Sequence, residues 1–400
     1  TGEDVVELSL HGGRAVVRGV MDALSTVPGL RLADPGEFTR RAFLNGKMDL
    51  TGAEAIADLI HAETAWQRVQ ALGQMAGNLR DIYDAWRDDL VRASAYIEAH
   101  LDFVDEEDVP DNVMDPVRPA LDKLRTAIAK HLNDGRRGEM IRDGVRVVIL
   151  GAPNAGKSTL LNALVKRDAA IVSEHAGTTR DVIDVHLDLD GVAVILTDTA
   201  GLRARALRTD VAADVIERVG IDRALQRAGQ ADLKLILIDA TSSAVDDETR
   251  ALMDDASMVV WTKMDQVVRD DPHAAPNDLL PGVATHAISV KTGVGMDDFM
   301  TALTAQVHDL VACGGEGATL TRERHRVALT ECARALDAAL GQPIDRESAP
   351  TPAESNRPPL APELMAEELR RATIALGRLT GRVDVEDVLE VIFRDFCIGK

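Results

Sequence analysis

Hydrophobic positions along this chain follow two rhythms. In the first third they recur at three- and four-residue steps: Val16, Val17, Val20 and Leu24 within 14–27; then Val69, Leu72, Met75, Leu79, Ile82, Trp86, Leu90, Ala93, Ile97 and Leu101; then Val117, Leu121, Leu124 and Ile128. This spacing predicts amphipathic helices, each with one face against a core. Ahead of them VVELSL at 5–10 reads as a short strand, and Thr51-Gly52-Ala53-Glu54 has the capping-box pattern that opens a helix. From residue 145 the rhythm changes. Short, largely apolar runs at 145–150, 192–201, 233–239, 257–262 and 285–290 predict buried strands of a mostly parallel sheet. After Cys313-Gly314-Gly315 helical spacing returns over 320–340, 363–379 and 384–396, broken by a Pro-rich polar stretch at 341–363 that reads as a loop.

The first strand of the second rhythm carries the chemistry. Val145–Leu150 runs directly into Gly151-x-x-x-x-Gly156-Lys157-Ser158, the full P-loop pattern between a strand and a helix. Its glycines let backbone N–H groups turn toward phosphate oxygens, and the helix presents its positive end there. Asn154, Ala155, Gly156, Lys157, Ser158 and Thr159 are therefore candidate nucleotide contacts, with Lys157 for the β- and γ-phosphates and Ser158 for Mg2+. Asp198, in Asp198-Thr199-Ala200-Gly201, suits Mg2+ through water, and the Gly201 N–H suits the γ-phosphate. Thr179, in the loop Ser173 to Asp181, is placed to complete the Mg2+ shell.

Thr262-Lys263-Met264-Asp265 points to guanine, because a carboxylate can accept from the ring N–H and exocyclic amine that adenine lacks. Thr262 stands where that motif usually has Asn, so the amide is lost and a weaker hold on the base is expected. Ser289, Val290 and Lys291 fit the last guanine-contacting loop. Leu202 stands where Ras-type GTPases place the glutamine that orients water, so hydrolysis needs another water-positioning group.

Composition narrows the setting. Four hundred residues suggest two or three domains, and with aromatics at 3% the cores must rely on Leu, Val, Ile and Ala. A net charge of −21 argues against broad, non-specific nucleic-acid binding. Cys313, Cys332 and Cys397 form an odd, scattered set, which favours a reduced cytoplasmic thiol state over a disulfide framework. No apolar run approaches membrane-span length and no signal peptide is evident, so no membrane partner is expected. The economical architecture is an α/β GTPase domain at 144–312, P-loop-bearing and mostly parallel, inserted into a discontinuous α-helical domain of 35–143 and 313–400. Neither helical flank is a complete bundle alone, so the halves are expected to pack together.

GAPNAGKS, AGTTRD, DTAGLR, PGEFTRRAFLNGKMDL, EAIADLIHAET and the terminal Phe396-Cys397-Ile398-Gly399-Lys400 together resemble the MnmE (TrmE) family of tRNA-modifying GTPases, over nearly the whole chain. The resemblance implies a K+-stimulated GTPase that works with the flavoprotein MnmG at C5 of the tRNA wobble uridine. It implies a homodimer and an α+β N-terminal domain that binds a tetrahydrofolate derivative, of which 1–34 would be a truncated remnant. Residue by residue, it implies K+ coordination by Asn154 with Ser173, His175 and Thr178, and water orientation by Glu217. It also implies switch roles for Arg180, Asp181 and Arg203, a part in modification for Cys397, and folate contacts from Lys47 and Lys400. Two other readings remain open at this point: an Era-like RNA-binding or ribosome-assembly GTPase, which would need an RNA module such as a KH fold after the GTPase domain, and a non-hydrolysing GTP-binding switch.

Overall fold

β-Branched and aliphatic runs form the strands. In a computed structural model of the chain, the residues described are 1–102, 116–167, 184–198, 229–242, 247–251, 253–267, 283–312, 318–341 and 360–383, with Leu389, Ile392, Phe393 and Phe396 beyond them. They divide into two compact units: one comprises Thr1–His61, Ala71–Gly135 and Ala318–Lys400, the other Ala62–Gln70 and Arg136–Gly317.

The second unit is built on β1 (Val145–Leu150), β2 (Asp184–Leu189), β3 (Val192–Asp198), β4 (Leu233–Asp239), β5 (Ser257–Thr262) and β6 (Ala284–Ala287). They make one six-stranded sheet in the order β2-β3-β1-β4-β5-β6. All neighbours are parallel except the β2–β3 hairpin, whose turn is Asp190-Gly191. Both faces of β1, β4 and β5 are covered, which is why those strands read as largely apolar runs, whereas the edge strand β2 alternates. Val147, Ile149, Leu235, Leu237 and Val260 pack on one side with Leu160, Phe299 and Leu303, whereas Val148, Leu150, Ile236, Ile238, Val259 and Trp261 make a second cluster. The last predicted strand, 285–290, is shorter than its apolar run. It ends at Ala287, and Ile288–Val290 turn away to form the loop that Ser289 closes by donating its N–H to the Val294 carbonyl.

The other unit is helical, with α1 (Arg14–Ser25), α2 (Glu37–Leu44), α3 (Leu50–His61), α5 (Asn78–Asp102) and α6 (Val117–Leu132) before the sheet. α4 (Ala65–Met75) lies between α3 and α5, and the division between the units falls within it. Within the second unit α7 (Arg137–Asp143) precedes β1, α8 (Lys157–Arg167) follows the P-loop, and α9 (Met296–Val311) follows β6. α10 (Glu323–Leu340) and α11 (Pro362–Thr380) complete the helical unit. Its core joins the two sequence halves: Leu79, Leu90 and Ile97 of α5 and Leu121 of α6 pack with Leu329, Leu336, Leu369 and Leu376 of α10 and α11. No helix among the described residues is long and apolar enough to cross a membrane.

Three local expectations change. Residues 5–10 are exposed and form no strand among the described residues, since a strand needs a neighbour to pair with and none is presented. The stripe from Val69 to Leu101 breaks at Ala76-Gly77, where Gly77 takes φ +102 and α5 restarts in a new phase. Val69, Leu72 and Met75 are consequently exposed, and α4 buries Ala71 and Gln74 instead. The capping box is displaced as well. Asp49 caps α3, its carboxylate accepting the Gly52 N–H at 2.8 Å and the Thr51 hydroxyl at 2.9 Å.

Glu54 is thereby free for another partnership. It is fully buried, and Arg324 grips it with Nε on Oε1 at 2.5 Å and Nη2 on Oε2 at 2.7 Å. His325 Nε2 lies 3.0 Å from Oε2, and Arg322 Nε 3.3 Å from Oε1. Burial by itself would raise the Glu54 carboxyl, but Arg324 and His325 hold it well below the usual carboxylate range. Burial and the neighbouring Arg324 push His325 down, so a neutral ring donates Nε2–H to an ionised Glu54.

Candidate nucleotide site

The loop between β1 and α8 is shaped by residues that few side chains could replace. Gly151 has φ +140, and a Cβ there would lie 2.2 Å from the Leu237 carbonyl oxygen of β4. Gly156 has φ +95, and Asn154 itself adopts the left-handed conformation at φ +66. The loop thus winds tightly over the C-terminal ends of parallel strands, where α/β sheets bind ligands.

Lys157 opens α8 and is only 7% exposed. Its ammonium donates to the carbonyls of Gly151 and Ala152, both at 2.8 Å. A shielded cation at a helix N-terminus suits an anion such as a β- or γ-phosphate. Ser158 and Thr159 are exposed on the first turn of α8, and Ala155 is buried beneath it. Register pairing of β1 with β3 sets Asp198 beside Ile149, so the backbone that carries this acidic residue ends next to the P-loop strand. Hydroxyl and carboxylate donors of this kind suit a hard, oxygen-seeking Mg2+.

The guanine-side residues come from the ends of β5 and β6. Ser289, fully buried, donates its hydroxyl to Asp265 Oδ1 at 2.7 Å and so aims that carboxylate. Lys263 has φ +59 and caps the 3-10 turn Met264–Gln266. Thr262 does more than its lost amide suggests. Its buried hydroxyl lies 2.7 Å from the Ala155 carbonyl and 3.2 Å from that of Ile238, so its single proton serves the P-loop. The base-side motif is thus tied to the phosphate-side loop across 107 residues. Val290 packs partly buried against the core, and Lys291 is exposed.

Lys47, on the exposed turn after α2, lies in the helical unit and has no part in this cluster. Ser173, His175, Thr178, Thr179, Arg180, Asp181, Gly201, Leu202, Arg203, Glu217, Cys397 and Lys400 lie outside the described residues. Sequence reasoning passed over Asp239, whose Oδ2 accepts from Lys263 Nζ at 2.6 Å. The signal was available: like Asp198, it is an acidic residue closing an otherwise apolar strand.

A P-loop on the central strand of a β2-β3-β1-β4-β5-β6 sheet, facing a Thr-Lys-Met-Asp turn and a buried serine, defines a guanine-nucleotide-binding protein of the P-loop class. Comparison with known proteins adds the family. The profile for the MnmE helical domain matches residues 50–397, and that for the GTP-binding protein TrmE N-terminus matches residues 1–47. The tRNA modification GTPase MnmE of Parvibaculum lavamentivorans is 50% identical over 403 residues, covering 100% of this chain and 84% of that protein. Its counterpart in Paramagnetospirillum magneticum is 49% identical with the same coverage of each. Among solved structures, the G domain of the T. maritima FeoB iron transporter matches 42% of this chain and 99% of its own at 22% identity. Its TM-score of 0.28 adds nothing to the sheet order. The chain belongs to the tRNA modification GTPase MnmE family.

Proposed function

We propose that this chain binds GTP with Mg2+ and hydrolyses it under K+ stimulation, as the GTPase that acts with the flavoprotein MnmG in C5 modification of the tRNA wobble uridine. The observation that carries the reading is the buried Lys157 ammonium on the Gly151 and Ala152 carbonyls, in a loop tied by Thr262 to the guanine-side turn. In this reading Lys157 and the loop N–H groups hold the β- and γ-phosphates, and Asp265 accepts from the guanine edge with Ser289 fixing its direction. Ser158, Thr179 and Asp198 hold Mg2+, which when bound neutralises charge developing on the phosphate oxygens.

Leu202 supplies no water-orienting amide, so that task falls to Glu217. Asn154, at the left-handed corner of the loop, holds K+ with Ser173, His175 and Thr178, and Arg203 has a switch role. Two such domains meet in a homodimer. Cys397 belongs to the modification step, with Lys47 and Lys400 toward a tetrahydrofolate derivative. In this reading the protein works with its tRNA in the cytoplasm.

The test is turnover of GTP and ATP by the whole chain in KCl and in NaCl. GTP should be hydrolysed much faster in K+, with little binding of ATP. Equal rates in the two salts would remove the K+ role, and equal affinities for ATP and GTP would remove the guanine assignment.

A further inference from the structure

We infer that Asp239 is a positioning residue for guanine recognition: it holds Lys263, and with it the left-handed turn that presents Asp265. The inference rests on the guanine-nucleotide reading above. Asp239 closes β4 and lies in register with Thr262, the last residue of β5. Its two carboxylate oxygens have separate tasks. Oδ1 accepts from the N–H of Thr241 at 2.9 Å and from its hydroxyl at 2.7 Å, which fixes the carboxylate on its own loop. Oδ2 is left to accept from Lys263 Nζ at 2.6 Å.

The pair is partly shielded, with the side chains 30% and 23% exposed, so water screens it less than an open surface pair. Burial would raise the Asp239 carboxyl, but the bonds from Lys263 and Thr241 bring it below its ordinary value, so it is ionised at neutral pH.

Lys263 needs such a hold. At φ +59 it occupies the left-handed region, which is costly for a residue with a Cβ. The turn it caps contains Asp265, two residues on, whose Oδ1 must remain within reach of the Ser289 hydroxyl. Backbone bonds from Ala240 N to Thr262 O (3.0 Å) and from Met264 N to Ile288 O (3.2 Å) anchor the two ends of this segment. The Asp239–Lys263 pair anchors its strained middle. Fixing the aliphatic stem of Lys263 also leaves less side-chain freedom to be lost when a base arrives.

Asp239→Asn is the informative change. Its carbonyl oxygen can keep both Thr241 bonds, while its amide offers the Lys263 ammonium no acceptor. Titrating the full chain with GDP should show affinity falling about tenfold, on the scale of one charge-assisted hydrogen bond. For GTP turnover the loss should fall mainly on KM. In a Lys263→Ala background the same change should cost nothing further, because the link is already gone. Unchanged GDP affinity in Asp239→Asn, or the same tenfold loss in the Lys263→Ala background, would overturn the inference. A parent chain that bound no GDP would instead overturn the guanine-nucleotide reading.

Discussion

The two units shelter charged groups from water by different means. In the nucleotide unit Asp265 and Asp239 stand at or just after the ends of parallel strands, each bonded to a group that follows a neighbouring strand, and Lys157 opens α8 bonded to the loop that follows β1. In the helical unit Glu54 is fully buried in mid-helix and is satisfied by Arg324 and His325, some 270 residues away. The first arrangement lies at the strand ends, where α/β sheets bind ligands. The second faces inward, and its charges are spent on one another. A P-loop lysine can therefore exchange its carbonyl partners for phosphate, whereas Glu54 has no alternative partner without unfolding. What matters for function is whether the partner of a sheltered charge is replaceable.

Removing one member of the inward cluster should have the largest effect. Glu54→Ala leaves Arg324 without its carboxylate, whereas Arg322 keeps Asp58 at 2.6 Å, and breaking a buried pair in this way costs about 3–5 kcal/mol. Hydrogen exchange should show protection falling in α3, α10 and α11, with the P-loop helix α8 far less affected. Little change in α10 would mean that the cluster is incidental to the helical unit.

Next in size is the outward set. Asp265→Asn should lower GTP affinity about a hundredfold, as expected for hydrogen bonds to a charged group, and shift preference toward xanthine nucleotides. Competition between GDP and xanthosine diphosphate measures it directly, and retained guanine preference would contradict the assigned edge contact. Thr262→Val should have a smaller effect, weakening GDP binding about tenfold by leaving the buried Ala155 carbonyl without its donor. Thr262→Asn sharpens the point. If the hydroxyl already performs the loop-tying task, restoring an amide should gain little affinity.

The smallest expected effect is on pH dependence. Both His325 and Glu54 have folded-state values pushed down, so each contributes stability that is present above its ordinary value and lost as pH falls. His325 acts first, below its ordinary 6.5, and Glu54 follows below 4.5. The unfolding free energy of the helical transition, read from urea titrations, should therefore decline from pH 7.5 to pH 5.5, on the order of 1 kcal/mol. His325→Gln should flatten that slope, and an equally steep slope in this variant would assign the pH dependence to other groups.

Much of the nucleotide unit was legible because its information is local. β1, β4 and β5 match their apolar runs residue for residue, since a strand covered on both faces is largely apolar along its length. The phosphate-side residues follow from glycines whose conformations no other residue adopts cheaply, as at Gly151. The MnmE family could likewise be recognised from contiguous motifs. Helix positions were also visible in the apolar rhythm, although that rhythm ran on through Gly77 where the backbone does not.

Tertiary structure alone decided which polar residues meet. Thr51 and Glu54 carry a capping-box pattern, yet Asp49 takes the cap and Glu54 joins Arg324. Thr262 lacks the amide of the usual motif, yet its hydroxyl reaches Ala155. Asp239 looks like the end of an apolar run until the register of β4 on β5 brings Lys263 to it. The reason is the range of the interactions. Apolar periodicity and glycine conformation are properties of a few consecutive residues, whereas a buried charge is settled by whichever opposite charge the fold delivers, and a single sequence does not encode that distance.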